Sequence, residues 1–243
     1  MKKIVLLVAF CLSVGNIFAQ DADKLRDAGD AALKAKNYPE ALAKYSEYLK
    51  LNDYKDTVRI FNCGFSASQS KNYAEAAKFF DMAVKYKYDL ANSYVGSAMA
   101  YRNLKKTDEF LSTVEAGLKA LPGNANLEKL LYSYCIKNGQ IAQKKGDFAG
   151  AEKLFKGVLL SSNKKYKEGA LYSLGAMFYN QGATALQKAT PLAASEPDKY
   201  KAAKESASVQ LKKAKEYLDQ ALALNGANAN VKNLIDAIAA TLK

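Results

Sequence analysis

The chain has no histidine and no tryptophan, and among its 243 residues it carries only three cysteines, four prolines and three arginines. Without histidine the commonest general base and metal ligand is missing, and a serine or cysteine nucleophile activated by an imidazole is excluded. Of the cysteines, Cys63 and Cys135 lie in separate segments and cannot build a thiolate-rich zinc site by themselves. There is no phosphate-cradling loop of the form G-x-x-x-x-G-K-[ST], because Gly146-Asp147-Phe148-Ala149-Gly150 lacks the Lys-Ser/Thr pair. Carboxylate pairs do occur, as Asp27 with Asp30 and Asp108 with Glu109, but they sit on helix surfaces or in turns, where solvation or capping accounts for them. These absences point to a protein that is not an enzyme, with no catalytic residue, no metal and no cofactor.

The scarcity of arginine also bears on the net charge of +12. Planar, bidentate recognition of phosphates and bases favours arginine, and here only Arg26, Arg59 and Arg102 could supply it. The lysines are interspersed with acids, as in Lys201, Lys204, Glu205, Lys212, Lys213, Lys215 and Glu216, which reads as solvated helix faces. No nucleic-acid partner is expected. The excess positive charge is suited instead to steering acidic partners toward the protein.

Long apolar runs are confined to the first 20 residues. Lys2-Lys3, an apolar stretch from Ile4 to Val14 and the ending Phe18-Ala19-Gln20 make residues 1–19 a secretory signal peptide with cleavage after Ala19. The stretch is too short for a bilayer span and Gly15-Asn16 interrupts it, while the bulky Phe10 before Cys11 argues against lipidation. No later segment is apolar enough to cross a membrane. The expected location is the bacterial periplasm, with secretion or association with envelope complexes as alternatives.

What the chain has in abundance is helical periodicity. From Gly29 to Leu51, small residues at Ala28, Ala31 and Ala32 precede the polar break Lys36-Asn37, after which Tyr38, Ala41, Leu42, Tyr45, Tyr48 and Leu49 recur at helical spacing. This predicts helix, tight turn, helix, with Gly29 allowing the two to approach and Tyr45 filling the adjacent space. Degenerate copies follow, and the close-contact position steps from Gly29 to Gly64, Ala98, Gly139 and Gly175, at intervals of 35, 34, 41 and 36 residues.

The residues so placed resemble the tetratricopeptide repeat family, whose unit is about 34 residues of paired helices. The resemblance spans roughly residues 22 to 226, and it implies an all-α fold, a right-handed α-α superhelix of about five helix pairs closed by a capping helix. Repeats are expected near 22–55, 57–90, 91–124, 125–164 and 165–226, the array filling 20–227 and the cap 228–243. Tyr48 and Val158 stand where a small residue is usual, Phe110 replaces the usual alanine, and only the third copy closes on a proline, Pro122.

Two irregularities are predicted. The first helix of the fourth copy is about two turns longer than usual, and the fifth copy holds 27 extra residues, with its first helix beginning near Gly169 and its second resuming at Ala214. Thr190-Pro191 and Glu196-Pro197 belong in a connecting loop, so the insertion 183–209 reads as a projecting helical hairpin, either a solvated arm or a docking handle. Cys63 and Cys135, two repeats apart, are too distant for a disulfide and are expected as buried free thiols.

The family resemblance implies a concave groove lined by first helices. By register it would include Arg26, Phe61, Asn62, Phe65, Met99, Arg102, Asn103, Gln140, Tyr172, Tyr179 and Asn180, amides suiting a peptide backbone and aromatics its side chains. Phe61, Phe65 and Tyr172 could equally serve packing between repeats. The family subset that grips a chaperone carboxyl terminus uses lysines, asparagines and an arginine at set places. The matching positions here hold Arg26 and Asp30, then Asn62, then Asn92 and Gly96, so a carboxylate clamp is not expected. The implied function is a non-catalytic protein–protein interaction scaffold or adaptor that binds a peptide segment or a partner protein. The alternatives are a structural subunit of an envelope or secretion assembly and, behind it, a glycan-binding protein or enzyme accessory subunit.

Overall fold

The structure, a computed structural model, describes residues 21–242; the expected signal segment 1–19, with Cys11, lies outside them. The described residues are helical and divide into two compact units, with the boundary between Leu121 and Pro122.

The first unit contains three helix pairs. Residues 21–34 form α1 and Tyr38–Leu51 form α2; Thr57–Gln69 (α3) pairs with Tyr73–Lys85 (α4), and Leu90–Asn103 (α5) with Thr107–Ala120 (α6). Each pair reverses at a lysine in the left-handed region, Lys36, Lys71 and Lys105, with φ of 59°, 60° and 59°. The Asp56 and Asn72 side chains cap the helices that follow them, accepting from Arg59 N and Glu75 N.

Close approach within a pair depends on a missing side chain. A Cβ at Gly29 would lie 2.6 Å from the Tyr45 ring, and one at Gly64 would lie 3.0 Å from the Phe80 ring. The other side of the Phe80 ring meets α5, where a Cβ at Gly96 would lie 2.6 Å away, so a single aromatic joins one pair to the next. In the third pair Ala98 and, sixteen residues on, Val114 hold the corresponding places, and both are fully buried.

Polar groups also tie neighbouring pairs. Tyr45 donates to Asp30 at 2.7 Å, and Arg59 from α3 donates to the same carboxylate, so α1, α2 and α3 share one acid. Asp56 then accepts from Tyr48 at 3.0 Å. Farther along, Asp81 on α4 accepts from Ser97 and Tyr101 on α5.

The second unit starts with Ala125–Lys144 (α7), whose 20 residues exceed the 14 of α5 by nearly two turns. Asn124 caps it. Phe148–Gly157 (α8) follows a turn at Gly146, φ 80°, and closes in a 3-10 turn, Val158–Leu160, which buries Val158 completely. Glu128, only 5% exposed, accepts from both Ser162 N and Ser162 Oγ and so fastens the segment after this turn to α7.

Lys164–Ala189 (α9) and Pro197–Leu224 (α11) are the longest helices of the unit. α9 starts five residues before Gly169, because Asn163 accepts from Lys165 N and Tyr166 N and initiates it earlier than the apolar pattern does. Pro191 leads into the one-turn helix Leu192–Ser195 (α10), whereas Pro197 opens α11 itself, where a missing N–H removes no hydrogen bond. The two long helices meet along small residues seven apart. Gly175, Gly182 and Ala189 on α9 and Ala207, Ala214 and Ala221 on α11 are all buried, with Leu211 and Leu218 filling the spaces beside the glycines. Ala229–Thr241 (α12) places Val231 and Ile238 against the same core.

Candidate functional site

The groove residues proposed from sequence meet different fates in the first unit. Phe61 is engaged in packing: its ring lies 5.4 Å from Phe80 and 5.7 Å from Tyr88, edge-on or tilted, within the core joining α3 and α4. Asn62 is half-buried beside Tyr45. Arg26 is bound to acids of its own helix, at 2.8 Å from Asp23 and 2.9 Å from Asp27, which raise its already high pKa through the Asp27 hydrogen bond. Asn103 is exposed and donates to the Met99 carbonyl at 2.7 Å.

Phe65 and Met99 remain open, at 37% and 38% exposure, and they directly follow the close-contact residues Gly64 and Ala98. Phe65 is steadied by an edge contact with Tyr38 at 5.8 Å. Arg102, one turn beyond Met99 at helical spacing, is half-buried and has no ion pair among the described residues.

In the second unit Tyr172 and Tyr179 pack against the hydrophobic core, which removes most of each ring from solvent. Gln140 and Asn180, by contrast, are brought together in one open cleft of about 1000 Å³. From α7 and the start of α8 the cleft receives Gln140, Gln143, Lys144 and Phe148; from α9 it receives Asn180, Gln181, Thr184, Ala185 and Lys188; from α11, Ser206 and Gln210. No carboxylate lines it. The hairpin creates this wall, since Thr184 to Gln210 belong to the length that a plain helix pair does not have.

Gln143, Lys144, Gln181, Lys188 and Gln210 had not been singled out in the sequence. Polar amides leave no apolar periodicity to find them by. The signal that could have found those on α7 and α9 is an absence, since residues 129–146 and 169–195, which supply most of these two helices, contain no aspartate or glutamate; Gln210 on α11 carries no such signal. Gln181 has a further peculiarity, for its Nε2 is buried without a hydrogen-bond acceptor.

The remaining candidate chemistry is inert in place. Cys63 and Cys135 are free and buried, and burial pushes each thiol up to about 12. Among the described residues no group of three or more cysteines and acids is placed to hold a metal ion, and no helix is long and apolar enough to cross a membrane. Burial raises the Asp30 carboxyl, but hydrogen bonds from Arg59 and Tyr45 outweigh it and hold the group below the usual carboxylate range. Its role is to join helices.

No protein-family model matches the chain. Among solved structures it is similar to a TPR repeats protein from Bacteroides fragilis NCTC 9343, with 45% identity over 90% of this chain and 98% of that one and a TM-score of 0.80. It also aligns with a tetratricopeptide repeat protein from Parabacteroides merdae ATCC 43184, 13% identical over 90% of this chain and 99% of that one, TM-score 0.41. YrrB, a TPR protein with an unusual peptide-binding site, is 16% identical over 93% and 96% of the two chains, TM-score 0.42. The last two values carry no weight, but the first is high in both identity and coverage. With its helix pairs and its recurring close-contact residues, the chain belongs to the tetratricopeptide repeat family.

Proposed function

We propose that the protein is a non-catalytic interaction scaffold of the bacterial periplasm, holding a segment of another protein against the exposed faces of α3 and α5. The observation that carries this reading is one of register. At the position directly after the close-contact residue, two successive first helices of the first unit present an exposed Phe65 and an exposed Met99, where burial would be the ordinary fate of apolar side chains. Apolar anchors beside amides suit a peptide segment, which needs shape and rigid support and no reacting group. The signal segment 1–19 supports the periplasmic address.

Affinity capture of the mature protein from its own cell envelope tests the reading, with a Phe65→Ala/Asn62→Ala/Arg102→Ala variant alongside. A defined partner present with the parent and lost with the variant supports it; a variant that captures the same partner equally well refutes the first-helix face. Cell fractionation and amino-terminal sequencing test the address, the expected mature chain beginning at Gln20.

A further inference from the structure

We infer that the cleft beside the α9–α11 hairpin binds an extended acidic peptide segment of a partner protein. This deepens the scaffold reading and rests on it, but it concerns the second unit, whereas Phe65 and Met99 belong to the first. Five carboxamides line the cleft, and each offers a donor and an acceptor, the pair of groups that a peptide backbone presents at every residue. One of them, Gln181, has its Nε2 withdrawn from solvent with no acceptor, so turning its amide into the cleft to meet a backbone carbonyl would gain a hydrogen bond that it now lacks.

The charge selects among peptides. Lys144 and Lys188 are exposed, both line the cleft, and neither forms an ion pair among the described residues, although many surface lysines of this chain do. No acid competes for them within the lining, and the neighbouring Asp147 is committed to capping α8 through Gly150 N at 2.9 Å. An extended segment with two or three carboxylates therefore meets complementary charge in addition to backbone hydrogen bonds. A glycan would find only one aromatic, Phe148, and no carboxylate to accept from paired hydroxyls. A nucleic acid would find no arginine there.

The test uses two pools of fluorescein-labelled peptides of about eight residues, one with Asp and Glu at three positions and one with Asn and Gln at the same positions. Fluorescence anisotropy is read with residues 20–243 at about 0.05 M and about 0.5 M salt. The acidic pool is expected to bind at least about tenfold more tightly than the amide pool at low salt and to lose most of that advantage at high salt. In Lys144→Gln/Lys188→Gln the advantage disappears, and Gln181→Met weakens both pools without lowering the melting temperature. Phe65→Ala/Met99→Ala leaves both affinities unchanged. Equal binding of the pools, an advantage that survives in the lysine variant, or an acidic oligosaccharide that displaces the peptides at lower concentration than unlabelled peptide would each overturn the inference. If the peptides fail while envelope capture still depends on Phe65, Asn62 and Arg102, the scaffold reading stands and the cleft assignment alone falls.

Discussion

Gly139 offers the sharpest test of how the helix pairs are held. A Cβ at this position would lie 2.4 Å from Phe155 Cε1, and three ring atoms lie within 2.9 Å. Phe155 is fully buried and cannot swing aside. Placing alanine in a helix interior favours the helix by about 1 kcal/mol relative to glycine. Overpacking a fixed ring costs about 2–3 kcal/mol, the upper part of its usual range, because neither partner has room to yield. Gly139→Ala should thus destabilise the second unit by about 1–2 kcal/mol, a fall of about 4–8 °C in melting temperature. The third pair supplies its own rescue, since Ala98 is matched there by Val114 in place of a ring. Phe155→Val alone leaves a cavity and costs about 2–3 kcal/mol, but combined with Gly139→Ala it should cost at least about 1 kcal/mol less than the sum of the two. Urea or thermal denaturation of the four proteins completes the cycle. A Gly139→Ala variant more stable than the parent by the full propensity gain, or strict additivity, would refute the close approach of α7 and α8.

Three further outcomes follow from the polar and thiol groups. Asp30→Ala, which deprives Arg59 and Tyr45 of their common acceptor, should destabilise the first unit by about 1–2 kcal/mol in urea at neutral pH. Because the folded Asp30 pKa lies below its unfolded value of about 3.9, the stabilisation is complete above that pH and declines as pH falls through the folded value, so the parent and Asp30→Asn should converge in stability as the pH falls. Glu128 is also depressed: burial raises it, but the Ser162 hydrogen bonds prevail, so the cost of Glu128→Gln should be present at neutral pH and shrink on acidification, as measured by paired denaturation curves. Cys63 and Cys135 should resist a thiol reagent at about pH 8 in the native protein and react in about 6 M guanidinium, with no mass change on reduction; labelling of the native thiols would contradict their burial.

The packing of pairs was legible because it obeys a fixed interval. Gly29 with Tyr45, Gly64 with Phe80 and Gly139 with Phe155 are each sixteen residues apart, and a small residue followed by a large one at constant spacing survives in a linear text. Phe61 was ambiguous for a physical reason. It stands one turn before Phe65 on α3, so periodicity gives both the same face, and only the positions of Phe80 and Tyr88 decide that one ring is packed and half-buried and the other open. The Asp30–Arg59 bond joins residues 29 apart that are unremarkable by composition, and no helical period connects them. Gln140 and Asn180 were reached by register alone, whereas Lys188 and Gln210 entered the cleft because two helices run past the ordinary end of a repeat.

That extra run has a consequence for how the chain can vary. Along α9 and α11 the same contact is renewed every seven residues, from Gly175 opposite Leu218 to Gly182 opposite Leu211. Seven residues are close to two helical turns. Removing one such block from each helix therefore leaves the lower contact in register, and adding one extends the arm without turning either helix relative to its partner. Arm length is thus a nearly independent variable of this fold, adjustable in steps of about 10 Å while the rest of the second unit keeps its packing. A lineage could raise, lower or erase one wall of the cleft by paired insertions or deletions, changing what the protein holds without renegotiating how it folds.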